Sequence, residues 1–272
     1  MNTIALQNKT SRFSRELNAV ITIVARDILL AVKSPFGLIM SLGMPIVMMG
    51  MLGGSLAQNM TAGLNFNYGQ FMLVGMLINM LFMFTAQGLT SLVEDRATDF
   101  TQEMMIAPVS RYSIVIGKIF GSSFGGILGM IGTLIVGLVM GITLSFWQLL
   151  LILALSPLMC LSAGAFAMLI IGLIKSNKTA NMVVMVIAMT QMFLSGAIIP
   201  IVHSHGVLLI LNRLMPMTYC LDLTRAVVYA GTPEYANVVL FNPVINCAAI
   251  VGLTIIFLII GTYGFVRSEK NR

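Results

Sequence analysis

Seven charged side chains, Glu94, Asp95, Arg96, Asp99, Glu103, Arg111 and Lys118, lie between Leu92 and Lys118 of a chain in which 9% of residues are charged. They form the densest group here able to do chemistry, and the other candidates are sparse. His203 and His205 stand at i, i+2 in IVHSHG with no nearby carboxylate or cysteine, so bland polar loop residues are a plainer reading than a metal site. Ser195 in LSGA has no membrane histidine to activate it, which favours a helix-packing Ser-Gly pair over a nucleophile. Gly117-Lys118 lacks both the upstream glycine and the following Ser or Thr of the phosphate loop GxxxxGK[ST]. No catalytic residue, metal or cofactor is therefore expected on this chain, and the energy for any active process must come from another polypeptide.

The elements that position these groups must be membrane helices. A chain that is 58% hydrophobic with a mean hydropathy of +0.98 would wet more apolar surface than a soluble exterior tolerates. Apolar runs at Phe36–Leu56, Phe71–Leu92, Ile119–Gly141, Trp147–Ile174, Met182–Ile201 and Val244–Val266 are each long enough to cross. Backbone groups in hydrocarbon must bond within their own segment, and period-2 alternation is absent, so six helices in a single transmembrane domain over residues 1–272 are expected. None of the nine acids falls at the centre of an apolar run, which argues against proton-coupled carriers, and no buried arginines mark a voltage sensor.

Thirteen of the fifteen Lys and Arg residues fall on one side of this arrangement, leaving Arg213 and Arg225 on the other. The positive-inside rule then places both termini and the Leu92–Lys118 stretch in the cytoplasm. The net charge of +6 is thus a topology signal, and nucleic acid is not an expected partner. The polar start, MNTIALQNKTSRFSREL, shows no apolar core or cleavage pattern, so no signal peptide is expected to be removed.

Residues 15–34 mix charges with apolar residues at three-to-four spacing and describe a helix lying in the interface, with a plain solvated amphipathic helix as the alternative. On the outer side, Gly206–Leu214 and Cys220–Tyr229 read as two short helices separated by Pro216, either re-entrant or interface-lying, an ordinary folded loop being the alternative. Gly121, Gly125, Gly129, Gly137 and Gly141 leave a smooth face on the third crossing, for contact within or between subunits. Cys160, Cys220 and Cys247 read as buried apolar residues, with a Cys220–Cys247 bridge as the alternative.

Four of the seven opening charges are acidic, so topology alone does not explain them. Asp99 followed by Gln102 starts a short helix that Pro108 ends, running roughly from Phe100 to Ala107. Phe100 and Met104 share one face, and Asp99 and Glu103 form an acidic edge; this knob suits docking into a partner's cleft, a solvated connector being the alternative.

The order VEDRATDFTQEMMIAPVSRYSIVIGK resembles the cytoplasmic loop of ABC-2-type permeases, the membrane subunits of ATP-binding-cassette exporters such as those for daunorubicin resistance and nodulation factors. Pro108, Val109, Ser110, Arg111, Gly117 and Lys118 match; Asp99-Phe100-Thr101 departs from the family's usual Gly-Thr. LNRLMPMTYCLDLTRAVVYAG (Leu211–Gly231) and the preceding FLSGAIIPI are similar to the family's outer segment, so the resemblance covers nearly the whole chain. It implies two permease copies, identical or different, in an inner membrane, with two copies of a separate ATPase that binds ATP and Mg. It also implies export by alternating access, driven through a coupling helix. Carried over, the coupling residues are Glu94, Arg96, Asp99, Phe100, Glu103, Met104, Pro108 and Arg111.

In that family the second and fifth crossings line the route, which singles out Asn79, Thr85 and Gln87, and Asn181, Thr190 and Gln191. A path poor in charge, in a chain with 23 methionines, suits a lipophilic or amphiphilic cargo such as a drug, lipid or lipid-linked glycan; methionines facing membrane lipid explain the count as well. Two other classes stay open. A channel would need no ATPase but should show a repeated filter motif, and none is found; a scaffold or sensor subunit would share the docking knob without transport.

Overall fold

Pro35 fixes the first turn of the architecture. It holds Ser34 in extended backbone, and the Ser34 hydroxyl accepts the Gly37 N–H at 3.2 Å, so one helix stops and another starts there. The computed structural model describes residues 12–55, 66–97, 110–172, 174, 176–202 and 204–270, and the regular elements among them are all helical. α1 (Arg12–Val32) meets α2 (Pro35–Val47) at 80°. α2 contains Pro45, which lacks a donor, and continues as a π-helical segment over Met48–Gly53.

α3 (Tyr68–Gly88) is the central post, with every residue from Phe71 to Phe82 buried. It leads into the short α4 (Ser91–Ala97), and α5 (Arg111–Val139) packs along it. The glycine stripe of α5 serves contacts within the chain. A Cβ at Gly121 would lie 2.7 Å from Asp27 of α1, one at Gly129 would lie 2.7 Å from the Phe84 ring of α3, and one at Gly137 would lie 2.6 Å from Leu73. Gly125 has only ordinary contact, and Gly141 (φ +77°) lies in the turn after α5. α6 (Phe146–Ile171), opened by a Ser145/Gln148 capping box, packs on α3 and on the last helix.

The fifth apolar run forms α7 (Asn177–Leu194), which starts earlier than its apolar run and stops short of Ile201. Its 18 residues end where Gly196 adopts φ +81°, and the chain continues without helix against α3, with the Tyr68 hydroxyl donating to Ile198 O at 2.9 Å. α8 (Val207–Leu214) and α9 (Pro216–Val228) meet at 80°, with Pro216 at the first helical position. α9 runs inside the bundle from the level of Asn79, whose side chain faces Met217, to the level of Asn67, whose carbonyl accepts from the Tyr229 hydroxyl. α10 (Tyr235–Val238) and α11 (Pro243–Lys270) complete the chain.

Four stretches, Tyr68–Asp95, Arg111–Val139, Phe146–Ile171 and Tyr235–Phe265, are long and apolar enough to cross a bilayer; the bent pairs α1–α2 and α8–α9 bring the number to as many as six. Although no acid lies at the centre of an apolar run, folding α9 into the bundle buries Asp222 and Arg225. Asp222 accepts from the Leu240 and Phe241 N–H groups and from Asn246, while Arg225 stacks 3.6 Å over the Phe71 ring and donates to Gly196 O at 2.7 Å. Cys160, Cys220 and Cys247 are free thiols, so the alternative Cys220–Cys247 bridge is not formed.

Candidate functional site

α1 lies across one end of the bundle, and its polar face meets the start of α5 and the end of α4. Arg26 forks onto the Asp95 carboxylate, with its two nitrogens at 2.9 and 3.4 Å. Lys118, 1% exposed although charged, reaches out from α5 to bridge Asp95 and, at 3.0 Å, Asp27. Two cations and two anions thereby join three helices with no net charge. Gly117 and Gly121, which flank Lys118, bear no Cβ and so let α1 approach: an added Cβ at Gly117 would lie 3.1 Å from Ile23.

Burial pushes the Asp27 carboxyl above its ordinary value, even with Lys118 and Arg26 beside it. Its hydrogen bond to Asp95 pushes Arg26 up. Asp27 therefore recovers less from its partners than ionised burial costs, as buried pairs often do, and what the cluster supplies is registration of α1 against α4 and α5. A second tie lies nearby: the Ser110 N–H, just before α5, donates to both carboxylate oxygens of Glu16 at 2.9 and 3.0 Å. α1 thus grips the chain on both sides of residues 98–109.

Of the residues expected to couple, Glu94 is exposed on α4 and Arg111 is exposed at the start of α5. Arg96 has its backbone in α4, and its side chain lies outside the described atoms; Asp99, Phe100, Glu103, Met104 and Pro108 lie outside the described residues. So does His203. Sequence reasoning missed the partners on α1, Glu16, Arg26 and Asp27, and the burial of Lys118. The available signal was Asp27, an acid in the mostly apolar stretch from Ala19 to Val32, together with glycines one turn apart on either side of Lys118.

The structure sorts the six route residues into separate places. Gln87 donates to Asn181 Oδ1, which also accepts from the Thr90 hydroxyl at 2.9 Å, so this group clasps the end of α3 to the start of α7. Thr85 is buried and turned towards Gly126 of α5. Thr190 is exposed on α7 and donates to Val186 O. Asn79 and Gln191, both 3% exposed, line one small cavity among α3, α6 and α7, with Phe82, Phe166 and Val184 in its walls. A second small cavity lies between α2 and α7 over α3; seven of its nine lining residues are methionines, and Asn79, Met83 and Ala188 also line the first.

A family model described as ABC-2 type transporter matches residues 18–229, from within α1 to the end of α9. No curated protein matches the chain.

Proposed function

The chain belongs to the ABC-2 type transporter family, and on that premise we propose that it is the permease subunit of an ATP-driven exporter for a lipophilic or amphiphilic substrate. Permeases of this family generally pair with an ATP-binding cassette subunit. In this reading two such subunits hold ATP and Mg, and they dock on the segment bounded by Glu94 and Arg111, with Phe100 and Met104 as the knob and Asp99 and Glu103 as its acidic edge. Two permease copies form the pathway in the inner membrane, with both termini in the cytoplasm.

The observation that carries this reading is the double grip of α1 on the flanks of residues 98–109, through Asp95 on one side and Ser110 on the other. A displacement of that segment by a nucleotide-driven partner would move α1, α4 and α5 as one body. The Gln87–Asn181–Thr90 clasp would pass the movement to α7. Alternating access would then follow from rigid elements tied at one end of the bundle, with no proton site required.

Inverted vesicles from cells overproducing the chain with its ATPase provide the test. ATP should drive uptake of at least one lipophilic fluorescent probe from a panel, and vanadate should stop it. Vesicles in which the ATPase hydrolyses ATP on the complex but no probe of any class moves would contradict transport and favour the non-transporting scaffold.

A further inference from the structure

Methionine makes up 23 of the 272 residues, yet it supplies seven of the nine that line the cavity between α2 and α7 over α3. The adjoining cavity has two methionines among its thirteen lining residues. The seven come from α2, the π-helical segment, α3 and α7, so thioethers from four elements converge on one void that is too small for an organic ligand. Met80 and Met192 are buried there and Met48 and Met83 half-buried, while Met185 and Met189, 51% and 46% exposed, stand at its margin on the surface of α7 and mark a way in.

We propose that this void is a binding site for a soft monovalent cation, copper(I) or silver(I), held by thioether sulfur. Thioethers are polarizable, flexible donors that suit such ions, whereas hard cations take oxygen ligands. Water is the poorer occupant, because it needs about two to four polar partners and Asn79 is the one lining residue with a polar side chain besides the thioethers. No carboxylate, thiol or imidazole lines the void, so the ligands bring no charge, and a single positive charge costs far less to bury there than the double charge of zinc(II). Donors spread from Met44 to Met192 form no spacing motif, and no cluster of three or more His, Cys, Asp or Glu able to hold a metal occurs among the described residues. The bound ion ties α2 and the π-helical segment to α7 across α3, as a clamp and not as cargo.

The proposal needs only the fold of the chain, and its test uses neither nucleotide nor ATPase. The full chain in nanodiscs is dialysed against silver(I) nitrate in chloride-free buffer, the bound metal is counted by mass spectrometry, and thermal unfolding is followed in parallel. Wild type should retain about one equivalent of silver(I) that the combined variant Met48→Leu, Met80→Leu, Met83→Leu, Met192→Leu lacks; leucine is close to methionine in volume, so the variant should unfold near wild type without metal. Silver(I) at about 100 Kd should raise the Tm of wild type by about 5 °C and leave the variant unmoved, and zinc(II) should shift neither. Thioethers have no proton to gain, so the shift should persist from a pH of about 7.5 down to about 5.5. Met83→His should keep the shift at the higher pH and lose most of it at the lower, where a protonated imidazole stands beside the ion, a new pH dependence that a misfolded chain cannot give. Equal silver(I) retention by the leucine variant, loss of the equivalent in Cys247→Ala, an equal response to zinc(II), or no retention by wild type would overturn the proposal. Failure of ATP-driven uptake in vesicles would leave a positive binding result standing.

Discussion

At the scale of single residues, the two carboxylates that meet Lys118 are unequal. Asp95 receives the Arg26 fork as well as Lys118, whereas burial raises the Asp27 carboxyl despite its partners. A raised carboxyl stabilises the fold fully below its ordinary value of about 4 and loses that contribution as pH rises through the higher value. Wild type should accordingly lose stability relative to Asp27→Asn as pH is raised from about 4 to 7. At pH 7 Asp27→Asn should melt at or above wild type, while Asp95→Asn, which leaves Arg26 and Lys118 facing one fewer anion, should cost about 3 kcal/mol. Thermal unfolding of the three proteins in detergent at both pH values checks this; a larger loss for Asp27→Asn than for Asp95→Asn at pH 7 would reverse the assignment.

At the scale of elements, the glycines of α5 set how closely its neighbours approach. A Cβ at Gly121 would stand 2.7 Å from the Asp27 Cβ, so a larger side chain must push α1 away and open the ion cluster. Gly121→Leu should cost roughly 1–3 kcal/mol in thermal stability and lower coupled transport further than that loss explains. Gly125→Ala, whose nearest neighbour would be 3.8 Å away, should be silent in both measurements. If Gly125→Ala were as damaging as Gly121→Leu, the stripe would act through something other than the α1 contact. The stripe itself was legible from sequence because four-residue spacing marks one helix face. Which neighbour it faces was not, since that depends on the sharp turn at Ser34–Pro35 that lays α1 against α5.

At the scale of the whole molecule, the helical class and most of the long crossings were readable because hydrocarbon admits few backbone solutions and apolar runs record their length. The end of α7 was not readable: apolar residues continue to Ile201, and Gly196 at φ +81° stops the helix inside that run. Nor was the inward path of α9, where two short helices around Pro216 fit a surface loop as well as a buried one until the partners of Asp222 and Arg225 are known. Among the route residues, polarity and the family's route grouped Asn79 and Gln191 with Gln87 and Asn181; only three-dimensional contacts separate a cavity lining from a helix clasp. The central claim is that a separate ATPase drives this chain through residues 98–109, and co-purification tests it most directly. Wild type and a Glu103→Arg, Met104→Arg variant are purified in mild detergent from native cells, and accompanying proteins are identified by mass spectrometry. An ATP-binding subunit should accompany the wild type and be lost from the variant; its absence from both, or equal recovery with both, would contradict the account.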